Sequence, residues 1–254
     1  MRPWLSRQLQ ALKADFEYTP EQPSMIHGWV ALILAPILLT LYYYYGRSHF
    51  YNHKLASLVE PALGIASHPY KELFPFVYWA LISVTIRLLI PALAIRFVLK
   101  EKLADYGFRL WKKGHAKIYL GMYGIMLPLL FWASSQPDFM KKYPFYKGAD
   151  QSLVHFIVYE LAYGTQFAAL EGFFRGFLLF ALYKRFGHQA ILIMTLPYCM
   201  IHFGKPIPET LGSIIAGIVL GHMALKSKSW IPGALLHWSI GFTMDILCLW
   251  QRGA

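Results

Sequence analysis

Long apolar runs alternate with short polar connections along the chain. A helix rises about 1.5 Å per residue, so about 20 apolar residues cross a hydrocarbon layer of about 30 Å. The pattern predicts seven membrane-spanning helices, over residues 26–45, 73–99, 118–135, 153–183, 190–203, 210–225 and 231–250. An eighth span or a re-entrant piece could lie between residues 47 and 70, although this polar segment favours a loop with one short helix.

The first residues and the hydrophobic runs divide the chain into three parts. Residues 1–25 carry apolar side chains at helical spacing and predict an amphipathic helix that lies in the membrane interface. Residues 26–149 hold the first membrane-spanning helices and their loops, and residues 150–254 hold the remaining helices.

Composition agrees with an all-α polytopic membrane protein. Hydrophobic residues make up 57% of the chain and charged residues 15%, which is too apolar for an ordinary soluble domain. The net charge of +11 comes from Lys and Arg in the connections, as the positive-inside rule predicts, so the expected partner is the lipid bilayer and not nucleic acid. The side that bears the N-terminus carries more of these cations, which predicts a cytoplasmic N-terminus.

Two charged residues stand inside the run at residues 153–183. Glu171 and Arg175 are four residues apart, so they lie on one helix face with the acid N-terminal to the base. An ionisable residue at membrane depth costs several kcal/mol and by default marks a functional site. The alternative is a buried ion pair that only fixes the packing of the helix.

Later spans add three more polar side chains. At about 1.5 Å per residue, Glu171, His202, His237 and Asp245 fall near the middle of the membrane. A buried carboxylate beside imidazoles can activate water, and the imidazoles can bind that water or a developing oxyanion. Glu171, His202 and His237 could also bind a divalent metal such as zinc, although no local metal-binding motif joins them. Taken singly, each histidine could serve only a hydrogen bond between helices.

Three blocks resemble the CPBP intramembrane proteases, the family of the type II CAAX prenyl endopeptidases and bacteriocin self-immunity proteins. They are EGFFRG at residues 171–176, YCMIH at residues 198–202, and residues 209–245 with His237. The resemblance implies a CPBP-like catalytic core at residues 150–254 and a peptide or protein substrate at a bacterial inner membrane. It also implies that Glu171 is the second acid of the family's pair, Arg175 its arginine, His202 the water-binding histidine and His237 the oxyanion histidine.

Two positions depart from the family pattern. Leu170 stands in the place of the first acid, and Gly241 stands in the place of an Asn or Asp. If the protein is a protease, Glu171 is then expected to act as the base, and Asp245, one turn beyond Gly241, to replace the missing polar group. The alternative is a catalytically inactive member that acts as an immunity, sorting or scaffold partner. A haem-binding electron carrier with His202 and His237 as axial ligands would leave Glu171 and Arg175 unused.

Overall fold

The computed structural model describes residues 24–111 and 115–253, and these residues form helices and no strand. The predicted interfacial helix at residues 1–25 lies almost entirely outside the described residues. The helices are α1 (Met25–Tyr45), α2 (residues 48–62), α3 (Lys71–Val98), α4 (Ala116–Ser134), α5 (Pro137–Lys142), α6 (Leu153–Phe186), α7 (Gln189–Met200), α8 (Ile207–Ser227) and α9 (Ile231–Gly253).

Six of these helices are long and apolar enough to cross a membrane, namely α1, α3, α4, α6, α8 and α9. The predicted all-α polytopic bundle is therefore confirmed. The span predicted at residues 190–203 is wrong in length, because α7 has 12 residues and ends at Met200. Twelve residues rise only about 18 Å, too little to cross alone. In the segment at residues 47–70, for which a loop with one short helix was expected, residues 48–62 form the helix α2.

Helix α6 lies at the centre of the bundle. In its most apolar 18-residue window 83% of the residues are buried, compared with 17% for the peripheral helix α4. It packs against α1, α3, α7 and α9. Phe173, Phe174 and Phe177 are fully buried in the main hydrophobic core. A helix enclosed in this way can carry charged side chains, because its neighbours and not lipid surround them.

Local sequence explains where α6 starts and ends and where it changes geometry. Ser152 caps the start, since its Oγ accepts a hydrogen bond from the backbone N–H of His155. Gly187 follows the last turn with a φ of 55°, a conformation that glycine adopts without steric cost. Residues Gly172–Leu178 form a π-helical stretch that begins directly after Glu171 and contains Arg175. Such stretches within helices are frequent at functional sites.

Small residues let the helices around the site approach closely. A Cβ atom added at Gly217 of α8 would stand 2.7 Å from Thr195 of α7, and one added at Gly164 of α6 would stand 2.6 Å from Trp238 of α9. Glycines at these contacts allow helix backbones to come together in a membrane, where packing replaces the hydrophobic effect.

Arg87, inside α3, is buried beside an aromatic ring. Its guanidinium carbon lies 3.4 Å from the centre of the Tyr42 ring on α1, a cation–π contact. The charge is thus held against an aromatic face at the α1–α3 contact.

A polar network ties the ends of three segments together on one side of the bundle. Glu101, in the connection after α3, accepts hydrogen bonds from Tyr106 Oη at 2.6 Å and from His27 Nε2 of α1 at 3.0 Å. It also forms an ion pair with Lys184 near the end of α6. Burial alone would raise the pKa of the Glu101 carboxyl, but the hydrogen bonds from Lys184, Tyr106 and His27 outweigh burial and lower this pKa.

A lowered pKa in the folded state makes the Glu101 network sensitive to acid. The stabilisation is complete above the ordinary Glu pKa of about 4.3 and is lost as the pH falls through the lower folded-state value. We expect wild type to melt at a higher temperature than Glu101→Gln at about pH 7, and this difference to shrink towards zero at about pH 3. Thermal unfolding of both purified proteins measures this difference. Asp105→Asn, in the same connection, is the control, and a Glu101 difference that is constant with pH would contradict the prediction.

Candidate functional site

The site is built around the carboxylate of Glu171, which is fully buried. Its Oε1 atom accepts a hydrogen bond from Arg175 Nη1 at 3.0 Å and another from His237 Nδ1 of α9 at 2.8 Å. Two predicted site residues on α6 and one on α9 therefore meet at a single oxygen. Because a carboxylate only accepts hydrogen bonds, His237 donates through Nδ1 and leaves its Nε2 atom for other contacts.

Arg175 joins Glu171 to two further helices. Its Nη2 donates to the backbone carbonyl of Ala216 on α8 at 3.4 Å. Its guanidinium carbon stands 3.8 Å from the centre of the Tyr198 ring on α7. The side chain is 1% exposed, so its charge is balanced inside the protein by Glu171 and by the Tyr198 ring.

His202 reaches the same region from the turn that follows α7. Its Nδ1 donates to the carbonyl of Tyr198 at 2.8 Å, and its own carbonyl accepts a hydrogen bond from Thr210 Oγ1 at 3.0 Å. These bonds fix the ring from both sides of the turn. A neutral imidazole that donates through Nδ1 keeps a lone pair at Nε2. Burial, followed by the charge of Lys205, lowers the pKa of His202 to about 3, so the ring is neutral at pH 7 and this lone pair is free.

A cavity of about 580 Å³ lies between α4, α6, α8 and α9, and both His202 and His237 line it. Most of its other lining residues are apolar. Ile125 of α4 and Ile215 of α8 line the cavity and are 72% and 67% exposed, so the cavity reaches the apolar outer surface of the bundle. Glu171, fully buried, lies behind His237 and is not part of the lining.

One corner of the cavity is polar, and sequence reasoning missed it. Lys205 Nζ lies 2.6 Å from Glu209 Oε1, and Tyr143 Oη donates to both Glu209 carboxylate oxygens at 2.7 Å. Burial, followed by the Glu209 charge, raises the pKa of the Tyr143 phenol well above its ordinary value, so the phenol stays a donor. The four-residue spacing of Lys205 and Glu209 was the available signal in the sequence.

Asp245 does not take the place of the missing polar group at residue 241. It lies two helical turns beyond His237, about 12 Å along α9, and accepts a hydrogen bond from Tyr159 Oη at 3.1 Å. The space beside Gly241 holds the Phe167 ring, which a Cβ atom at residue 241 would meet at 2.8 Å. The same ring packs against His237 with centroids 4.4 Å apart. The expectation that Asp245 works beside His237 is therefore corrected.

Leu170 has no role in the lining of the cavity. It is 6% exposed and packs in the main hydrophobic core with residues of α1 and α3. One residue further along the helix turns a side chain by about 100°, which directs Glu171 towards α9 instead. The position of the family's first acid is thus part of the apolar core here.

The residues predicted as zinc ligands do not fit a metal site in this arrangement. Within residues 24–111 and 115–253, no group of three His, Cys, Asp or Glu side chains is arranged to hold a metal ion. The Arg175 guanidinium lies against the Glu171 carboxylate at 3.0 Å, so a metal cation bound there would stand close to a buried positive charge.

Fold and site together define a polytopic helical membrane protein in which a buried Glu–Arg–His cluster stands behind a cavity open to the bilayer. Residues 153–243 match the model of the family described as type II CAAX prenyl endopeptidase Rce1-like. This match confirms the predicted resemblance to the CPBP intramembrane proteases over residues 153–243. The curated proteins and the solved structures contain no match to the chain.

The contact between Phe167 and residue 241 can be tested by adding a side chain. Gly241→Ala forces its new Cβ atom to within 2.8 Å of the Phe167 ring, so we expect a loss of about 1–3 kcal/mol in stability. Phe167→Leu in the same chain should restore part of this loss, because a smaller side chain leaves room for the methyl group. Thermal unfolding of the single and double variants gives the coupling between the two positions.

Gly124→Ala on α4 is the matched control, since a Cβ atom there meets no atom within 4 Å. Equal effects of Gly241→Ala and Gly124→Ala on the unfolding temperature would contradict the packing described here.

Proposed function

We propose that this chain is an intramembrane endopeptidase that cleaves a peptide or protein presented at the membrane. The observation that carries the proposal is that two imidazoles, those of His202 and His237, line one cavity that reaches the outer surface. The family match over residues 153–243 supports the same class of reaction.

In the proposed mechanism His202 activates the water. Its Nε2 lone pair takes a proton from a water molecule in the cavity, and the water oxygen attacks the carbonyl carbon of the scissile peptide bond. The tetrahedral intermediate collapses when the proton on His202 passes to the leaving nitrogen. The Nδ1 hydrogen bond to Tyr198 holds the ring in the tautomer that this step requires.

His237 stabilises the developing oxyanion. Glu171 accepts the hydrogen bond from its Nδ1–H and holds the ring in place, and in this mechanism an Nε2–H of the ring donates to the oxyanion. Glu171 is fully buried behind His237, so it acts through the histidine and does not contact the substrate. The role of base expected for Glu171 from the sequence therefore passes to His202 in this mechanism.

Arg175 keeps Glu171 charged and fixed. The guanidinium balances the buried carboxylate in a region of low dielectric, and its bond to Ala216 and contact with Tyr198 prevent rotation. With the acid held at one orientation, His237 is held too. Preorganised groups of this kind cost no reorganisation when charge develops in the transition state.

The cavity defines the kind of substrate. Its volume of about 580 Å³ is in the range of small-ligand sites and fits a few residues of an extended chain. Its lining is mainly apolar, and Lys205 and Glu209 supply both signs of charge in one corner. We propose that a mainly apolar segment enters from the bilayer, at an inner membrane in which the N-terminus of the protease is cytoplasmic.

Site-directed variants of the full chain in cells test this proposal. We expect His202→Ala and His237→Ala each to lower cleavage of candidate membrane substrates by roughly 100-fold or more, because each removes a proton-transfer or oxyanion group. Glu171→Gln should also lower cleavage, since a neutral amide replaces the carboxylate that accepts the hydrogen bond from His237 Nδ1. Immunoblots of substrate and product at matched expression are the measurement.

His53→Ala is the matched control, because His53 is an exposed histidine on α2, outside the cavity. Cleavage that survives in both His202→Ala and His237→Ala would refute the mechanism.

A catalytically inactive CPBP-type protein that binds a membrane partner is the second candidate. Two observations favour it: Leu170 lies in the apolar core, and Phe167 fills the space where the family has a polar side chain beside residue 241. In that case the cavity is a binding site for the partner, in an immunity, sorting or scaffold role. A cellular phenotype that persists in His202→Ala and His237→Ala, without any cleaved product, would select this candidate.

A further inference from the structure

A second pair of acids is buried in the bundle, apart from the cavity. Glu160 of α6 is 3% exposed and Asp245 of α9 is fully buried. Glu160 Oε2 accepts a hydrogen bond from Trp238 Nε1 at 3.3 Å, and Asp245 Oδ2 accepts one from Tyr159 Oη at 3.1 Å. Each acid thus has one oxygen bonded to a neutral donor.

The other oxygen of each acid has no donor among the residues that the structure describes. Glu160 Oε1 and Asp245 Oδ1 are buried and accept no hydrogen bond from a donor in the described part of the chain. The two carboxyl groups are nevertheless in hydrogen-bonding contact. Two carboxylates cannot bond each other, because both only accept, whereas a proton on either one makes the contact an O–H···O bond.

Nearby cations do not replace this proton. Lys147 is the closest positive influence on Asp245, but its Nζ donates to the backbone carbonyls of Lys141, Lys142 and Pro144. Arg252 donates to the carbonyls of Met140 and Tyr143. Neither acid forms an ion pair with a residue that the structure describes.

The other titratable groups around the pair are neutral hydrogen donors. They are Tyr159 and Tyr163 on α6, Tyr143 in the connection before α6, and Cys248 on α9. Two buried negative charges in direct contact, without an ion-pair partner, would cost several kcal/mol, so protonation of one acid is the lower-energy state.

We propose that Glu160 and Asp245 share one proton at neutral pH and act as positioning residues that fix α6 against α9. Trp238, bonded to Glu160, is the neighbour of His237 in sequence, and its indole packs against Gly164 of α6. Glu160 lies three turns before Glu171 on the same helix. The acid pair therefore fixes the position of α9 along α6, and with it the contact between His237 and Glu171. Its effect on cleavage rests on the function proposed above.

The first test detects the proton itself. Infrared spectra of the purified full chain at neutral pH should contain the C=O stretch of a protonated carboxylic acid. Conservative Glu160→Gln and Asp245→Asn variants should each lose this band, because an amide donates to the remaining carboxylate and no proton is needed. Glu209→Gln should keep the band, because Glu209 is paired with Lys205 and ionised. Absence of the band in wild type, or its persistence in both variants, would overturn the proposal.

The second test asks whether the hydrogen bonds of Asp245 position the site. Asp245→Asn keeps a hydrogen bond to Glu160 and to Tyr159, and we expect it to retain the unfolding temperature and the cleavage of wild type. Asp245→Ala breaks the link and should lower cleavage by up to about 100-fold, the cost of a displacement of about 1 Å at a reacting group. Equal loss in both variants would contradict a positioning role. If wild type cleaves nothing, the proposed protease function fails, while the infrared band still decides the shared proton.

Discussion

The structure depends on the buried carboxylate of Glu171 and on the two cationic or polar donors that meet its Oε1 atom. A charge at membrane depth is tolerated only when partners inside the protein replace the water it has lost. Arg175 supplies the opposite charge from one turn away, and His237 brings in α9. Arg175 in turn reaches α8 and the Tyr198 ring, so one ion pair connects four helices. Removal of either charge would leave the other buried without compensation, which is why the pair and the packing of α6 depend on each other.

The sequence was sufficient to predict the class of fold and to name the residues that meet at Glu171. Apolar runs mark helices in a membrane clearly, because no water can hydrogen-bond an open backbone there. A four-residue spacing placed Glu171 beside Arg175, and depth along the helices placed His237 near them. Depth is only one coordinate, however. It could not show that His237 contacts Glu171 whereas Asp245, on the same helix, contacts Tyr159. The direction in which a side chain points around the helix axis depends on packing, for example on the Phe167 ring beside Gly241.

Residues that depart from a family pattern have a physical meaning in this bundle. Leu170 extends the apolar core towards α1 and α3, and an acid there would be buried without a partner. Phe167 covers Gly241 and supports the His237 ring from one side. The two changes therefore leave the polar groups of the cavity to His202, His237 and the Lys205–Glu209 corner.

The enclosure of α6 has a consequence for how the protein is made. Besides Glu171 and Arg175, this helix carries Glu160 and Gln166 among its buried residues, and 83% of its apolar window is covered by other helices. Its partners in α8 and α9 are synthesised after it, so α6 leaves the ribosome before the groups that satisfy its polar side chains exist. Until α9 arrives, the helix must be sheltered from lipid at the site of insertion. The polar side chains of α6 therefore acquire all their partners only when the later helices have been synthesised, and not when α6 itself is inserted.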